Sequence, residues 1–568
     1  MQPSKLAKRL LWPSIIVAAL GVYVCGLGGA PFVGADEPRY AQVAREMYAR
    51  GDWVTPTLDG RNWFEKPALT YWSSMLGYKL FGISEWSARV GAALAGVLTV
   101  LLIGWAAGRV EMASAVHRTD MGAGGRNDAT HAGSDEGDAE GAMLDATVIA
   151  TSNANWLRVA CAASLASSAG MIAFTHAVNF DIFVTMTITL ALTCFFVAEL
   201  SVDDRGRRWL MAGFYAGIGA SLLAKGLIGI VLPCGVVGLY FVLRGRWPGV
   251  RRLELWGWLV ALIVAATWYA PVLRAHGWAF VDEFIIQHHF ARYVSNKYHH
   301  PQPFYYYPPV LAALALPWTA CVVAALLDAG RHWRARGADD PINRLRVFAL
   351  AWTIVPVAFF SLSGSKLPGY VLPALPGVAL LAGERLAAYL REASGARSMR
   401  ATGALLALLA AVGFVLAWRT HELNAWCWWL IAAPAAVAGG MFVSVPLIAS
   451  CALAPLARRE SVRDLLAAAA RRGYADAPVY GLHTIERTAE FYAAGRLAYE
   501  TQGSDPQNLE GALEVAQAAR ERGATLLVIV PVEYVYQLTG AVDLTAEVID
   551  DNGAVALVAV KSADASLP

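Results

Sequence analysis

Residues 10–30 read LLWPSIIVAALGVYVCGLGGA and follow Lys5, Lys8 and Arg9. A transmembrane helix needs about 20 apolar residues, and short loops rich in Lys and Arg stay in the cytoplasm. This basic start and apolar run resemble a secretory signal peptide, but the run is long and further apolar runs follow it. We therefore predict an uncleaved first transmembrane helix that delivers Asp36 to the outer side of the membrane.

The composition of the whole chain indicates an integral membrane protein. Of its 568 residues, 57% are hydrophobic and only 16% are charged, with a mean hydropathy of +0.44. An average soluble domain is about a quarter charged. The net charge is +2, which excludes the strong basic field that attracts nucleic acid. The seven cysteines show no C-x-x-C spacing, which argues against a disulfide framework or a cysteine zinc site. The predicted partner is therefore the lipid bilayer, with no nucleic acid.

Apolar runs alternate with arginine-rich loops through residues 1–456, which we predict to be one transmembrane domain. The pattern gives about 13 spans if the stretch 425–456 crosses the membrane twice, and 12 if it crosses once. Residues 111–150 hold eight acids and six glycines with few bulky apolar residues, so we predict a flexible cytoplasmic loop there. A long outer loop is predicted over 273–308.

Residues 457–568 have a different character and are predicted to form a small soluble α/β domain. Helical patterns alternate there with short β-branched runs. The predicted helices are 461–472, 486–495 and 508–522, and the predicted strands are 479–482, 524–532 and 554–560. A double crossing at 425–456 places this domain in the periplasm, whereas Arg458 and Arg459 argue for the cytoplasm under the positive-inside rule.

The outward loops carry most of the polar residues that suggest chemistry. Asp36 opens a helical pattern beside the membrane, and its alternative role is a helix cap. Glu65 and Lys66 lie side by side in an aromatic segment. They could belong to an interfacial aromatic belt with a snorkelling lysine. Adjacent charges near bilayer depth are nevertheless costly unless they bind something, so we expect a ligand at this pair.

Five motifs in these loops resemble one family, the bacterial lipid A aminoarabinose transferases. These enzymes are polyprenyl-phosphate-dependent members of the GT-C superfamily, related to protein O-mannosyltransferases. The motifs are Asp36-Glu37-x-Arg39-Tyr40, Phe64-Glu65-Lys66-Pro67, Lys225-Gly226, Pro303-Phe304-Tyr305-Tyr306-Tyr307 and Gly364-Ser365-Lys366-Leu367-Pro368-x-Tyr370-x-x-Pro373. The resemblance covers about residues 10–390 and leaves out the tail and the acidic insertion 111–150.

The resemblance implies a membrane all-α, GT-C-type multispan bundle with periplasmic juxtamembrane helices. It also implies an enzyme of the bacterial inner membrane whose active site faces the periplasm. Such an enzyme moves 4-amino-4-deoxy-L-arabinose from undecaprenyl phosphate to a lipid A phosphate, a modification that lowers affinity for cationic antimicrobial peptides such as polymyxin.

This chemistry needs cations that hold two phosphates and carboxylates that stabilise positive charge at the anomeric carbon. The acceptor phosphate is already anionic, so no strong general base is required. The candidate catalytic acids are Asp36, Asp181 and Glu65, and Asp181 has a helix cap as its alternative role. The candidate phosphate-binding cations are Arg39, Lys66, Arg274, Arg292, Lys297 and Lys366.

A metal is not required by this chemistry, although a divalent ion remains an alternative. Several histidines cluster within 276–300 without a recognised zinc spacing, and the ligands of such an ion would be Glu65 and His289. Two other functions also stay open. One is a GT-C enzyme with a protein or a different lipid as acceptor, and the other is a transporter of lipid-linked sugars. A transporter would place its polar residues near the bilayer midplane, whereas here they concentrate in outer loops.

Overall fold

Apolar helices make up most of the first 400 residues, as the alternation of apolar runs and basic loops predicts. The computed structural model describes residues 5–127, 156–245, 247, 253–291, 302–334, 340–392, 394–405, 457–500 and 505–563. The α-helices of this part are Lys5–Val24 (α1), Asp36–Arg50 (α2), Leu69–Phe81 (α3), Glu85–Asn127 (α4), Trp156–Ala166 (α5), Ala169–Thr175 (α6), Phe180–Leu200 (α7), Asp204–Lys225 (α8), Ile228–Arg244 (α9), Gly257–Phe280 (α10), Tyr307–Leu314 (α11), Thr319–Arg334 (α12), Pro341–Ser361 (α13) and Leu375–Glu392 (α14). A π-helix, Val281–Ala291, continues α10, and a 3-10 helix, Pro368–Ala374, precedes α14.

Several of these helices are long and apolar enough to span a membrane. Five described segments qualify: Glu85–Arg118, Phe180–Leu200, Gly257–Phe284, Pro341–Ser361 and Pro368–Glu392. The pair α5 and α6, bent by 57°, makes a sixth if it is one span. The chain is thus a multi-pass membrane protein with a helical bundle. Residues 406–456, where the last spans are predicted, lie outside the described residues, so the count of 13 stays a prediction.

Helix α4 corrects part of the predicted cytoplasmic loop. The helix continues to Asn127, so residues 111–127 of the predicted loop 111–150 are helical, and residues 128–150 lie outside the described residues. Glu111 shows why an acid is tolerated at this point. Its buried carboxylate pairs with Arg391 and accepts hydrogen bonds from the backbone N–H groups of Leu157 and Arg158. A buried charge is stable when it is paired and hydrogen-bonded, which the acid count alone does not reveal.

The predicted outer loop 273–308 also contains helix in its first half. Helix α10 extends through Phe280 and the π-helix follows to Ala291. The chain kinks at Gly277, where φ is 54° and ψ is −131°, a conformation that favours glycine. The apolar pattern of this segment continues past residue 272, where the predicted loop begins. The helix therefore also continues, and it changes direction at the Gly277 kink.

Residues 457–500 and 505–563, called the C-terminal domain below, contain both helices and strands, which is consistent with the predicted α/β domain. Its α-helices are Arg463–Arg471 (α15), Ala489–Tyr492 (α16), Ala512–Arg522 (α17) and Val535–Thr539 (α18), with a 3-10 turn at Val532–Tyr534. Its strands are Val479–Leu482 (β3), Asn508–Leu509 (β4), Leu526–Pro531 (β5), Leu544–Asp551 (β6) and Val555–Ser562 (β7), in the order β4-β3-β5-β7-β6. Strand β3 pairs in parallel with β4 and β5, and β7 pairs antiparallel with β5 and β6. Strand β6 was not expected, because its inward and outward residues lack a clean alternation.

Candidate active site

The loop that follows the first apolar helix is built around one buried ion pair. Arg89 of α4 binds Glu37 through two contacts, Nε to Oε1 at 2.7 Å and Nη2 to Oε2 at 2.9 Å. Arg89 also donates to the carbonyl oxygens of Leu27, Ala30 and Pro31. Glu37 is therefore the structural member of the Asp36-Glu37 motif. This pair fixes the start of α2 against the membrane helices and so sets the position of Asp36.

Four charged residues from this loop form a first cluster: Asp36, Arg39, Glu65 and Lys66. Nζ of Lys66 donates to Oε1 of Glu65 at 2.6 Å, and both side chains are mostly buried. Burial lowers the pKa of Arg39, but the carboxylates of Glu490, Glu65 and Asp36 raise it more, and the net pKa lies above its usual value. The three acids are thus close enough to stabilise this guanidinium.

Asp36 does not act as a helix cap. It lies in the first turn of α2, whose N-cap position is Ala35 with no side-chain hydrogen bond. Its side chain is exposed, and it makes no hydrogen bond to the residues that the structure describes. The capping alternative is therefore wrong for Asp36, and its carboxylate is available to a ligand.

Two small strands and an aromatic layer hold the first cluster. Strands β1 (Thr57–Leu58) and β2 (Arg61–Asn62) form a hairpin before Glu65. The ring of Trp63 lies under the guanidinium of Arg39, with 5.2 Å between Cζ and the ring centroid. The buried hydroxyl of Tyr71 has no hydrogen-bond partner among the described residues. Burial and then the charge of Glu65 raise the pKa of Tyr71 well above its usual value.

The aromatic layer connects the first loop to the turn that carries Asp181. The ring of Phe180 packs edge-on against Tyr40 at 4.8 Å and against Tyr71 at 5.3 Å. In addition, the backbone N–H of Val178 donates to Oε1 of Glu37 at 2.9 Å. The turns of Asp36 and Asp181 are thus brought together, although 145 positions separate the two residues (181 minus 36).

A second charged pair joins Asp181 to Lys225. Their carboxylate and ammonium are in direct contact, and Nζ of Lys225 also lies 4.3 Å from the ring centroid of Tyr370. Asn179, not Asp181, caps α7, because its Oδ1 accepts the N–H of Ile182 at 2.9 Å. Gly369 faces Asp181 so closely that a Cβ there would overlap with Oδ2 of the aspartate. The capping alternative for Asp181 is therefore also wrong.

Lys366 makes a different set of contacts from the other candidate cations. Its buried ammonium donates to the carbonyl oxygens of Ser363 at 2.7 Å and Gln302 at 3.0 Å. The hydroxyl of Tyr307 donates to the carbonyl of Leu367 at 3.3 Å. These bonds tie the aromatic run 303–307 to the turn before the 3-10 helix. Lys366 therefore stabilises this turn, whether or not it also binds a ligand.

The remaining candidates lie apart from the first cluster and the Asp181–Lys225 pair, or outside the described residues. Arg274 is exposed on α10, and no hydrogen bond or ion pair joins it to the first cluster or to that pair in the described part of the chain. Arg292, Lys297 and the side chain of His289 are outside the described residues. Within 5–127, 156–245 and the other described ranges, no three His, Cys, Asp or Glu side chains converge in a way that could hold a metal ion.

Sequence reasoning missed one residue that contacts the first cluster, Glu490. This glutamate belongs to α16 of the C-terminal domain, and its Oε2 accepts Nε of Arg39 at 3.4 Å. Next to it, the hydroxyl of Tyr492 accepts the N–H of Phe32 at 2.9 Å. The domain therefore lies against the loop that follows the first apolar helix. The tail carries no motif, so nothing in its sequence singles out Glu490.

Comparison with known proteins agrees with the motifs. The family pattern described as dolichyl-phosphate-mannose-protein mannosyltransferase matches residues 15–116. The chain is 30% identical over 410 residues to the undecaprenyl phosphate-alpha-4-amino-4-deoxy-L-arabinose arabinosyl transferase of Pseudomonas paraeruginosa, covering 71% of this chain and 65% of the relative. The corresponding protein of Edwardsiella ictaluri is 28% identical over 406 residues, covering 71% of this chain and 63% of that relative. The matched part thus spans slightly less than two thirds of these relatives.

A solved structure extends the similarity to nearly the whole fold. The crystal structure of ArnT from Cupriavidus metallidurans in the apo state matches with a TM-score of 0.72 at 23% identity, covering 98% of this chain and 99% of that chain. The same protein bound to undecaprenyl phosphate matches with a TM-score of 0.70. The resemblance expected from the five motifs and the predicted fold class are confirmed.

Proposed function

We propose that this relative of the aminoarabinose transferases moves 4-amino-4-deoxy-L-arabinose from undecaprenyl phosphate to a phosphate of lipid A. The bond between the anomeric carbon and the carrier phosphate oxygen breaks, and an oxygen of the acceptor phosphate forms the new bond. Undecaprenyl phosphate leaves with the electron pair of the broken bond. The acceptor phosphate arrives ionised, so the step needs no strong base.

The observation that carries this proposal is that two acid–ammonium pairs lie in parts of the chain that contact each other, although they are distant in sequence. Glu65 and Lys66 come from the first loop, whereas Asp181 and Lys225 come from two helix ends. The contact of Val178 with Glu37 joins the two regions. A transfer between two phosphates needs cations for the anions and carboxylates for the sugar. The two connected regions supply both kinds of group.

The cations receive the two phosphate groups. Lys66 pairs with Glu65, and Arg39 feels the charges of Glu65 and Asp36; in our proposal Lys66 contacts the carrier phosphate. A bound anion would offset the cost of partly burying its ammonium. Arg274, Arg292, Lys297 and Lys366 are the further candidates from the sequence. Among them, Lys366 acts through the turn that it holds together, given its two carbonyl contacts.

The acids stabilise charge rather than move a proton. Asp36 is exposed next to the first cluster and Asp181 is held by Lys225. A fixed carboxylate lowers the energy of the transition state when positive charge develops at the anomeric carbon. The same carboxylates can orient the ammonium group of the amino sugar. Glu65, the third acid, sets the position of the Lys66 ammonium.

A divalent metal bound by Glu65 and His289 stays a prediction that the described residues do not favour. Oε1 of Glu65 already accepts the ammonium of Lys66 at 2.6 Å. No third donor converges with Glu65 in the part of the chain that the structure describes. Metal analysis of the purified protein tests this prediction directly.

The bacterial inner membrane is the proposed location, with the site and the C-terminal domain facing the periplasm. The domain contacts the first loop through Glu490 and Tyr492, so both lie on the same side of the bundle. This supports an odd number of spans, and hence the double crossing of 425–456. A reporter fused at Pro568 that is active only in the cytoplasm would contradict this topology.

Transfer by the purified protein in detergent tests the proposed reaction. The donor is undecaprenyl phosphate-linked aminoarabinose, and the acceptors are lipid A and, in parallel, serine- and threonine-containing peptides. We expect mass spectrometry to detect the amino sugar on lipid A only. Transfer to peptide would instead favour another GT-C glycosyltransferase. Movement of the donor across vesicles without transfer would favour a transporter.

A further inference from the structure

The C-terminal domain docks on the first loop through three consecutive residues of α16. Glu490 contacts Arg39, the carbonyl of Phe491 accepts Nη1 of Arg45 at 3.2 Å, and the hydroxyl of Tyr492 donates to Glu85 at 2.9 Å. The ring of Phe491 packs edge-on against Phe32 at 4.7 Å. Such a dense set of contacts places α16 at a fixed position above α2.

Glu490 is the one acid of this contact that reaches the candidate site. Its side chain is fully buried and touches two guanidinium groups, Arg39 at 3.4 Å and Arg487 at 2.9 Å. Arg487 in turn pairs with Asp505 inside the C-terminal domain. A buried carboxylate is stable only with such partners. Glu490 thus links the domain to Arg39 by charge as well as by packing.

Arg39 is held in a way that leaves part of its guanidinium for a ligand. Nε donates to Glu490, and the ring of Trp63 supports one face of the group. Nη1 and Nη2 donate no hydrogen bond to any residue within the described ranges, although the side chain is 13% exposed. Arginine binds phosphate best through two parallel N–H groups. The orientation of Arg39 therefore suits a phosphate oxygen.

We propose that Glu490 is a positioning residue through which the C-terminal domain completes the phosphate-binding site. Glu490 fixes the Nε side of Arg39, and the Nη groups then bind a lipid-linked phosphate. The phosphate belongs either to the polyprenyl carrier or to the acceptor lipid, two sources with the same chemistry. This inference rests on the proposed function only for the identity of that lipid, because the contact itself does not depend on the sugar that is transferred.

A double-mutant cycle on binding tests the link without requiring turnover. Undecaprenyl phosphate and lipid A are titrated separately into the full-length protein with Arg39→Ala, Glu490→Gln and both changes. We expect Arg39→Ala to weaken one of the two affinities about 100-fold and Glu490→Gln to weaken the same one about tenfold. The double variant should bind like Arg39→Ala to within a factor of about three, because Glu490 acts only through Arg39.

Two further variants separate positioning from folding. Glu490→Asp keeps the charge and should recover much of the lost affinity. Glu547→Gln removes a half-exposed ion pair with Arg472 elsewhere in the same domain and should bind both lipids like the unmodified protein. Thermal unfolding is measured on every variant, so that a loss of affinity with an unchanged unfolding midpoint is attributed to the site.

The separate titrations with undecaprenyl phosphate and lipid A identify the source of the phosphate. They also show whether Glu490 positions Arg39. Loss confined to undecaprenyl phosphate assigns Arg39 to the carrier, and loss confined to lipid A assigns it to the acceptor. Unchanged affinity for both lipids in Glu490→Gln, or losses that multiply in the double variant, overturns the inference. If the unmodified protein transfers no amino sugar but the affinities fall as expected, the proposed reaction fails and the positioning role stands.

Discussion

The two acid–ammonium pairs of the site look alike but are built differently. Glu65 and Lys66 are neighbours in the chain and pair at 2.6 Å within one loop. Asp181 and Lys225 are 44 residues apart and join the start of α7 to the end of α8. All four side chains are mostly buried. The first pair depends on local chain geometry, whereas the second depends on how two helices pack.

This difference affects how freely the charged group of each pair can move. Lys66 lies in the loop that follows the hairpin β1–β2, and in our proposal its ammonium moves from Glu65 to a phosphate. Asp181 is confined between Lys225 and Gly369. We therefore expect its carboxylate to keep one orientation during the proposed reaction. A charge with a fixed position suits transition-state stabilisation. A charged side chain that can change its partner suits substrate binding.

The largest effect is expected from neutralising the acids. Asp36→Asn and Asp181→Asn should each lower kcat by about 100-fold or more, with a smaller loss of undecaprenyl phosphate binding. This pattern marks an interaction made mainly in the transition state. Asp36→Asn should leave the unfolding midpoint unchanged because Asp36 is exposed, whereas Asp181→Asn should lower it. Unchanged turnover in both variants would leave the chemistry to Glu65 and the cations.

The second effect concerns the Glu65–Lys66 pair. Lys66→Ala should weaken undecaprenyl phosphate binding by about 30-fold and lower transfer in proportion, while the protein stays folded in detergent. Lys79→Ala, at an exposed position near the end of α3, is the matched control and should retain both properties. If Lys66→Ala transfers the sugar normally, Lys66 is not part of the site.

The third effect tests the confinement of Asp181. Gly369→Ala adds a methyl group that overlaps with the carboxylate, so we expect kcat to fall by about tenfold and the unfolding midpoint to drop. Gly238→Ala in α9 adds the same group where no atom lies within 4 Å, and it should leave both unchanged. A fully active Gly369→Ala would mean that Asp181 can move, and the contrast between the two pairs would be lost.

The smallest effect provides a baseline for an ion pair without a functional task. Arg472 and Glu547 pair at 3.0 Å on the surface of the C-terminal domain, and each is about half exposed. Exposed pairs contribute roughly 0 to 1 kcal/mol, so Glu547→Gln should change the free energy of unfolding by less than about 1 kcal/mol and leave turnover intact. A large loss of turnover would show that effects in this domain reach the site without Glu490.

Local patterns were sufficient for most of the fold and for part of the site. The apolar runs predicted the spanning helices, because about 20 consecutive apolar residues have few other stable solutions. The β-branched runs at 479–482 and 554–560 match β3 and β7 closely. The continuation of α4 to Asn127 was missed, because the burial of Glu111 depends on Arg391, 280 residues further along the chain.

The sequence by itself determined that this is a membrane protein with charged loops between its apolar runs, and it identified Asp36, Glu65 and Lys66 as candidates, since composition and neighbouring residues carry that information. The tertiary structure alone decided that Glu37 rather than Asp36 takes the structural role, that Asp181 meets Lys225, and that Glu490 reaches Arg39. These three results are ion pairs between residues far apart in the chain. Their partners are chosen by helix packing and domain docking, which leave no periodic trace in the sequence around either residue.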